Sequence, residues 1–553
     1  MKPNFTYVHK AFVNGNVYTV NQNDEIAEAV GVIDNKIVFV GSKSELDNYI
    51  TEDTEVIDLN GRSLIPGFID SHFHPILNGM IGASLDDAIV SIGFSQCKTM
   101  GELLAKLKEA LALKEKGEWV SSMGYEPPKL PEDRHPTIEE LDEVGPDNPI
   151  QCIHVGGHIA MYNSKALEYL GVFGPEDADK YPEDEVVVED GKLTGMVRGH
   201  THFALWEKVA YNAEQQERAA MKSHKLLLEN GVTSIHDCGE CDAPSYHIMQ
   251  KLAREKTFKV RNYMLLHSIY GKPFSMDDND YWMNLGLMSG LGDEHFKIGS
   301  SKFMIDGGSG APSSACRAPY SHDPNLKGEK GWEREEVADY ILKIHRADCQ
   351  ATAHAIGDLA IEFMVEGYEK AFAETPKPEL RHRIEHCTIT DQDLIDRMAK
   401  MNICPSMNVG MLTTYGKHYN NCYGDERSKF FVAIKSMLDA GINVSLASDA
   451  PSGPMGMTIM DGAVNRTDRS AANAGYVLGE NQKVSILEAL RCMTLNGAYI
   501  SYEENIKGSI EVGKLADLVI LSEDLLSYPV DDIGKIKVDM TMIDGVVEYE
   551  REK

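Results

Sequence analysis

Positive charge is scarce in this chain. Its 553 residues carry 54 lysines and arginines against 86 aspartates and glutamates, a formal net charge of −32 at pH 7. So anionic a surface repels nucleic-acid phosphates and anionic lipid at short range, so no nucleic acid and no membrane is expected as a partner, and a small-molecule substrate fits better. Long apolar runs are missing too. No stretch is long enough to span a bilayer, and the start, Met1-Lys2-Pro3-Asn4-Phe5, leads into mixed polar sequence without an apolar leader. A soluble, cytoplasmic protein is expected. A disulfide framework is equally absent: the ten cysteines are scattered, several inside apolar runs, as suits reduced and buried thiols. Cys238-Gly239-Glu240-Cys241 could be a redox pair or half of a zinc site, but no second Cys-x-x-Cys completes a four-thiolate set, which favours structural or incidental cysteines. Internal repeats and low-complexity segments are also lacking.

What remains is ordinary globular material, 42% hydrophobic and 25% charged, and too long for one simple core. Near the start, Ala11-Phe12-Val13 and Val17-Tyr18-Thr19-Val20 flank Asn14-Gly15-Asn16, a hairpin signal. Ala29-Val30-Gly31-Val32-Ile33 and Lys36-Ile37-Val38-Phe39-Val40 follow around Asp34-Asn35. The far end repeats the style with Asp517-Leu518-Val519-Ile520-Leu521 and a strand pair around Asp544-Gly545. Neither end holds enough strands for a stable sheet, so the two are expected to combine, 1–65 with 497–553, into a small composite β-sandwich domain.

Between them, residues 66–496 alternate strand-like and helix-like runs, the mark of a parallel α/β sheet. Eight candidate strands lie at Gly67–Ile69, Thr233–His236, Tyr263–Leu266, Ser301–Ile305, Gln350–His354, Arg383–His386, Ile403–Ser406 and Val444–Asp449. Eight favours a closed TIM (β/α)8 barrel. The gap after the first strand is far longer than one helix needs, so an insertion at about 84–225 is expected to cover the barrel mouth as a lid and part of the substrate pocket.

The candidate chemistry starts at His72-Phe73-His74, directly behind an apolar run. Residues two apart on a strand face the same way, so both imidazoles can reach one ion. Lys302, His354, His386 and Asp449 each stand at or near the end of a β-prone run, and a parallel barrel gathers such ends into one pocket. His72, His74 and Asp449 would give three ligands and leave a position for water. His354 and His386 could hold a second ion if an anion bridges the two. Lys302 could supply that anion as a carbamate, its amine having added carbon dioxide. Each residue alone has a plainer reading: a hydrogen-bonded core histidine for His354, a salt-bridged strand end for His386, a turn cap for Asp449, and an ion pair with Asp306 for Lys302. Only the ordered set favours ligation and metal-dependent hydrolysis.

These residues also carry a resemblance. Phe68-Ile69-Asp70-Ser71-His72-Phe73-His74, Lys302-Phe303-Met304-Ile305-Asp306-Gly307, His354-Ala355-Ile356-Gly357-Asp358, Ile384-Glu385-His386 and Ser448-Asp449-Ala450-Pro451 resemble the amidohydrolase superfamily, and within it the YtcJ-like branch that includes N-substituted formamide deformylases. Gly157–Leu167 and the tail from Thr494 to Val519 are similar to the same branch. The resemblance implies a divalent metal, zinc or similar, as one or two ions, and hydrolysis of a non-peptide carbon–nitrogen bond by a metal-bound hydroxide. It makes His72 and His74 first-strand ligands, His354 and His386 the fifth- and sixth-strand ligands, Lys302 a ligand when carboxylated, and Asp449 both ligand and proton shuttle. His158 becomes a substrate-orienting residue, and a homodimer is implied. One departure stands out: Gly199, where many relatives are expected to carry an acid, followed by His200 and His202, which could take the place of that acid but read better as alternation on a solvated loop. Two rivals stay open, a mononuclear-metal deaminase of the same superfamily and a metal-free binding or scaffold protein.

Overall fold

Eight short runs pair side by side in chain order as the parallel sheet at the centre of this computed structural model: Phe68–Phe73, Val232–Asp237, Arg261–His267, Phe296–Met304, Ala351–Ala355, Arg383–His386, Cys404–Met407 and Ser445–Leu446. The structure describes residues 6–82, 84–85, 87–93, 95–182, 185–206, 208–209, 211–239, 243–267, 283, 285–310 and 312–552. All eight predicted strands coincide with these or overlap them. Their burial on both faces is what a parallel sheet wrapped in helices demands. The last strand returns to the first. The Asp449 N–H donates to the His72 carbonyl at 2.8 Å, the Ser71 hydroxyl to the Leu446 carbonyl at 3.1 Å, and the Ser448 N–H to Asp70 Oδ1 at 3.0 Å, which draws the sheet into a barrel.

The helices between strands follow from apolar stripes and caps. In Gln392–Lys400, Leu394, Ile395 and Met398 share the buried face, and Asp391 caps the first turn by accepting the Leu394 N–H. Arg334–Arg346 and Asp358–Glu374 likewise bury apolar faces, and both pack against the fifth strand.

Both chain ends contribute to one β unit. A six-stranded sheet runs Val546–Glu550, Val538–Ile543, Leu518–Leu521, Ser63–Pro66, Asn16–Tyr18, Ile26–Ala27, with Ile65 opposite Val519 where the two ends meet. A four-stranded sheet holds Lys36–Gly41, Ala29–Ile33, Lys10–Val13 and Glu55–Asp58. Phe12, Val30 and Val32 from one sheet and Val17, Leu64 and Leu518 from the other share a core, which makes the pair a sandwich. The turn at Asp34-Asn35 forms as expected, with Ile33 opposite Lys36 and Asp34 at φ 50°. The Asn14-Gly15-Asn16 hairpin does not. Lys10–Val13 pairs in parallel with Glu55–Asp58, and Asn16–Tyr18 with Ser63–Pro66, so the chain steps from one sheet to the other at this turn. A Cβ at Gly15 would lie 2.4 Å from Leu59 Cβ; the turn is wedged between layers, and burying apolar residues in two sheets prevails over local turn chemistry. Buried Arg261, opening the third barrel strand, ties the barrel to the sandwich through Asp517 at 2.7 and 3.0 Å and Asp544 at 2.7 Å.

Between the first and second barrel strands lies a seven-stranded sheet in the order Val186–Glu189, Lys192–Arg198, Ile159–Tyr162, Ile150–His154, Val120–Tyr125, Ile89–Ser91, Ile81–Gly82. The helix Met100–Leu111 packs Leu103 and Leu107 against it, and Ala213–Glu229 leads the chain back to the barrel. The loop 154–158 and the helix Gly199–Trp206 from this segment form part of the wall over the barrel mouth. Among the described residues no helix is long and apolar enough to cross a membrane, and the nine described cysteines are free and buried. Cys238 is one of them; Cys241 and the side chain of His200 lie outside the described residues.

Candidate metal centre and active site

His72, His74, Lys302, His354, His386 and Asp449 line one cavity of about 880 Å³, at or just beyond the C-terminal ends of the first, fourth, fifth, sixth and eighth strands. Strand register accounts for the convergence: Met304 lies opposite His354, and Ala355 opposite His386. His386 at φ 67° and Asp449 at φ 58° sit in the left-handed region, where the strands break off and their side chains turn toward the mouth.

Hydrogen bonds fix which ring nitrogens face the cavity. His72 Nδ1 is 2.7 Å from buried Glu385 Oε2 and His74 Nδ1 is 3.1 Å from the Gly239 carbonyl, so both rings carry their proton on Nδ1. The two Nε2 atoms then point at one oxygen, Asp449 Oδ1, at 3.4 and 3.5 Å. The ligand atoms of these three residues all lie within 4.8 Å of one another, a fit for one ion. His386 is oriented likewise, its Nδ1 2.8 Å from Asn408 Oδ1, and its ring centre is 4.3 Å from that of His354. His354 Nε2 is 3.3 Å from the Gly307 carbonyl. Lys302 Nζ lies 3.3 Å from His72 Nε2.

Electrostatics keep the donor set ready. Burial, and then Lys302, pushes the His72 imidazole well below its ordinary pKa; burial does the same to His354, and lowers His386. Neutral rings are the ligating form. Burial would raise the Asp449 carboxyl, but the imidazoles of His72, His74 and His386 hold it well below the usual carboxylate range, so it is ionised.

His158 also lines the cavity, its ring centre 5.8 Å from that of His354 and edge-on to Phe203, with its pKa pushed down to about 4 by burial. Asp306 is taken up by the backbone: its carboxylate accepts the N–H groups of Ala315, Ile356 and Gly357 at 3.0, 3.0 and 2.8 Å, which pins the loops after the fourth and fifth strands. His202 is a correction. Read as part of a solvated loop, it is fully buried in the helix Gly199–Trp206. Gly199 is explained by its backbone, at φ 60°. Sequence reasoning also missed Glu385, Arg383 and Asn408. Glu385 was visible only as a letter before His386; that it reaches across the barrel to His72 depends on a contact 313 residues away.

A family model described as the amidohydrolase family matches residues 55–549. The chain belongs to the amidohydrolase family. Membership brings hydrolysis at carbon–nitrogen bonds other than peptide bonds. The chain is 29% identical to the N-substituted formamide deformylase of Arthrobacter pascens over 548 residues, covering 98% of each protein. It is 27% identical to the protein named YtcJ of Bacillus subtilis, covering 97% of this chain and 98% of that one. Among solved structures, an uncharacterized metal-dependent hydrolase from Pyrococcus horikoshii superposes with a TM-score of 0.74 at 23% identity, over 94% of this chain and 99% of that one, which supports the same barrel fold.

Proposed function

We propose that this amidohydrolase uses a divalent metal, zinc by ligand type, to hydrolyse a small-molecule amide, an N-substituted formamide or close analogue. The observation that carries the reading is the meeting of His72 Nε2, His74 Nε2 and Asp449 Oδ1, three ligand atoms within 4.8 Å of one another at the barrel mouth. Two imidazoles and one carboxylate suit zinc, and they leave a coordination position open. When bound, the ion supplies Lewis acidity, which acidifies water and polarises a carbonyl.

The protein's own groups do the rest. Asp449 takes the proton of the attacking water and passes it to the leaving nitrogen. His158, neutral at pH 7, offers a ring N–H to the substrate carbonyl. Met80, Met123, Trp206, Met411 and Phe431 make much of the cavity wall apolar, which supports an apolar group on the amide nitrogen and excludes bulk water. Lys302, as a carbamate, would add oxygen donors beside His72, and together with His354 and His386 it would be the set to hold a second ion. Deamination ranks behind because Asp358, the acid after the fifth-strand histidine, is not among the residues lining the cavity and accepts the Arg317 N–H at 2.9 Å instead. A metal-free scaffold has no use for the converging lone pairs. Buried free thiols support a reducing, cytoplasmic setting. A homodimer is proposed on family resemblance alone.

The test pairs metal analysis of protein prepared without chelator with an amide panel that includes 4-nitroformanilide. One or two zinc equivalents and release of 4-nitroaniline are expected. A protein that retains no ion and cleaves no amide overturns the proposal.

A further inference from the structure

The hydrogen bonds around buried His202 run in one direction. The Ser121 hydroxyl donates to Gln151 Oε1 at 2.7 Å, which turns the amide so that Nε2 donates to the Tyr162 oxygen at 2.8 Å. The Tyr162 proton is then directed to His202 Nδ1, at 2.8 Å. An accepting Nδ1 leaves the ring proton on Nε2, and this donates to the Gly157 carbonyl at 3.1 Å. Both ends of the chain of bonds lie at the cavity: Tyr211, whose hydroxyl donates to Ser121 at 3.3 Å, lines its wall, and Gly157 lines it next to His158. The helix that carries His202 holds the same loop a second time, because the Gly199 N–H donates to the His158 carbonyl at 3.2 Å. Phe203, the neighbour of His202, meets the His158 ring edge-on with centres 5.7 Å apart.

We propose that His202 is a positioning residue for the hydrolysis, fixing the Gly157-His158 loop so that the His158 ring faces the reacting carbonyl. This rests on reading the cavity as an amidohydrolase site. A helix residue with no contact to the substrate would thereby set the geometry of one that touches it, through a single backbone carbonyl.

The test uses His202→Phe, which keeps a ring against Trp206 and removes both hydrogen bonds, His202→Gln, which keeps a donor at the reach of Nε2, and each in the presence or absence of His158→Ala. With 4-nitroformanilide as substrate, His202→Phe is expected to lower kcat/KM about tenfold, the worth of one well-placed hydrogen bond, with unchanged metal content. His202→Gln should recover most of the loss. In the His158→Ala background, His202→Phe should add nothing, since the two act as one unit. Losses that multiply in the double variant, or wild-type kinetics in His202→Phe, overturn the proposal. A second readout needs no turnover: carbethoxylation of His158 by diethyl pyrocarbonate, followed by peptide mass spectrometry, should quicken several-fold in His202→Phe and not in His202→Gln. Unchanged His158 reactivity overturns the positioning role. Changed reactivity in a protein whose wild type cleaves no amide upholds the hold of His202 on the His158 loop and overturns the amide-hydrolysis reading of the cavity alone.

Discussion

Glu385 Oε2 stands 2.7 Å from His72 Nδ1, with both side chains sealed inside the barrel. Burial would raise the Glu385 pKa, but Arg383, 2.9 Å from its other oxygen, and Lys302 keep it lowered, and Thr352 Oγ1 donates to it at 2.7 Å. The carboxylate therefore fixes the His72 tautomer, and it would strengthen Nε2 as a donor to the proposed ion. Replacing it with the neutral amide, Glu385→Gln, should weaken metal binding by about 10–100-fold while the protein stays folded. Competition with a chromogenic zinc chelator measures this, and an unchanged affinity would show that His72 ligates without its buried partner.

Asp449 offers a cleaner separation of chemistry from folding. Its φ of 58° is a backbone setting that asparagine tolerates well, so Asp449→Asn keeps the turn while removing the proton acceptor. Hydrolysis should fall by about 10³-fold or more, with the melting transition and far-ultraviolet dichroism of the wild type. Near-normal turnover would refute the proton-shuttle role.

The barrel was legible because a strand buried on both faces reads as a short apolar run, and the chemistry-bearing residues punctuate the ends of those runs. Ser301–Ile305 was seen for what became Phe296–Met304, and Arg383–His386 was found with its observed ends. Local signals were less safe where two sheets compete for one chain, as at Asn14-Gly15. Illegible altogether were partners set by tertiary contact. That Glu385 serves His72, or that His202 docks on Tyr162 40 residues earlier, has no periodicity and no motif to announce it.

A buried histidine pair far from the cavity predicts acid sensitivity. His382 Nδ1 accepts the Ala351 N–H at 2.9 Å, so its Nε2–H donates to His345 Nδ1 at 2.9 Å, and His345 Nε2 in turn donates to the Thr375 carbonyl at 2.8 Å. Neither ring has room for another proton between them. Burial, with His345 and Lys377 nearby, pushes His382 down to about 3. An unfolded histidine titrates near about 6.5, so below that pH the unfolded chain takes a proton that the folded one refuses. This contribution is complete above about pH 6.5 and is lost as pH falls toward 3, at about 1.4 kcal/mol per pH unit for one imidazole. Urea unfolding of wild type and His382→Gln should show a stability gap that narrows between about pH 7 and pH 5; a gap constant across that range would exclude the linkage.

Gly199 turns the departure from the family pattern into a prediction. Its N–H donates to the His158 carbonyl at 3.2 Å, and a Cβ added there would sit 2.7 Å from Glu185 Oε1. Glu185 is the acid that serves this helix start, its Oε2 accepting the Thr201 N–H at 2.8 Å and the Thr201 hydroxyl at 2.6 Å. A side chain at 199 must displace that carboxylate or be displaced by it. Gly199→Asp would set a second negative charge against the first, whereas Gly199→Asn has the same shape, tolerates the left-handed backbone equally, and can donate to Glu185. The aspartate variant should lower both the urea midpoint and kcat/KM, through a loosened His158 loop, and the asparagine variant should lose less of each. Equal losses in the two would assign the effect to space alone; wild-type behaviour in Gly199→Asp would mean that the helix start adapts and that an acid at this position is interchangeable with the one Glu185 provides.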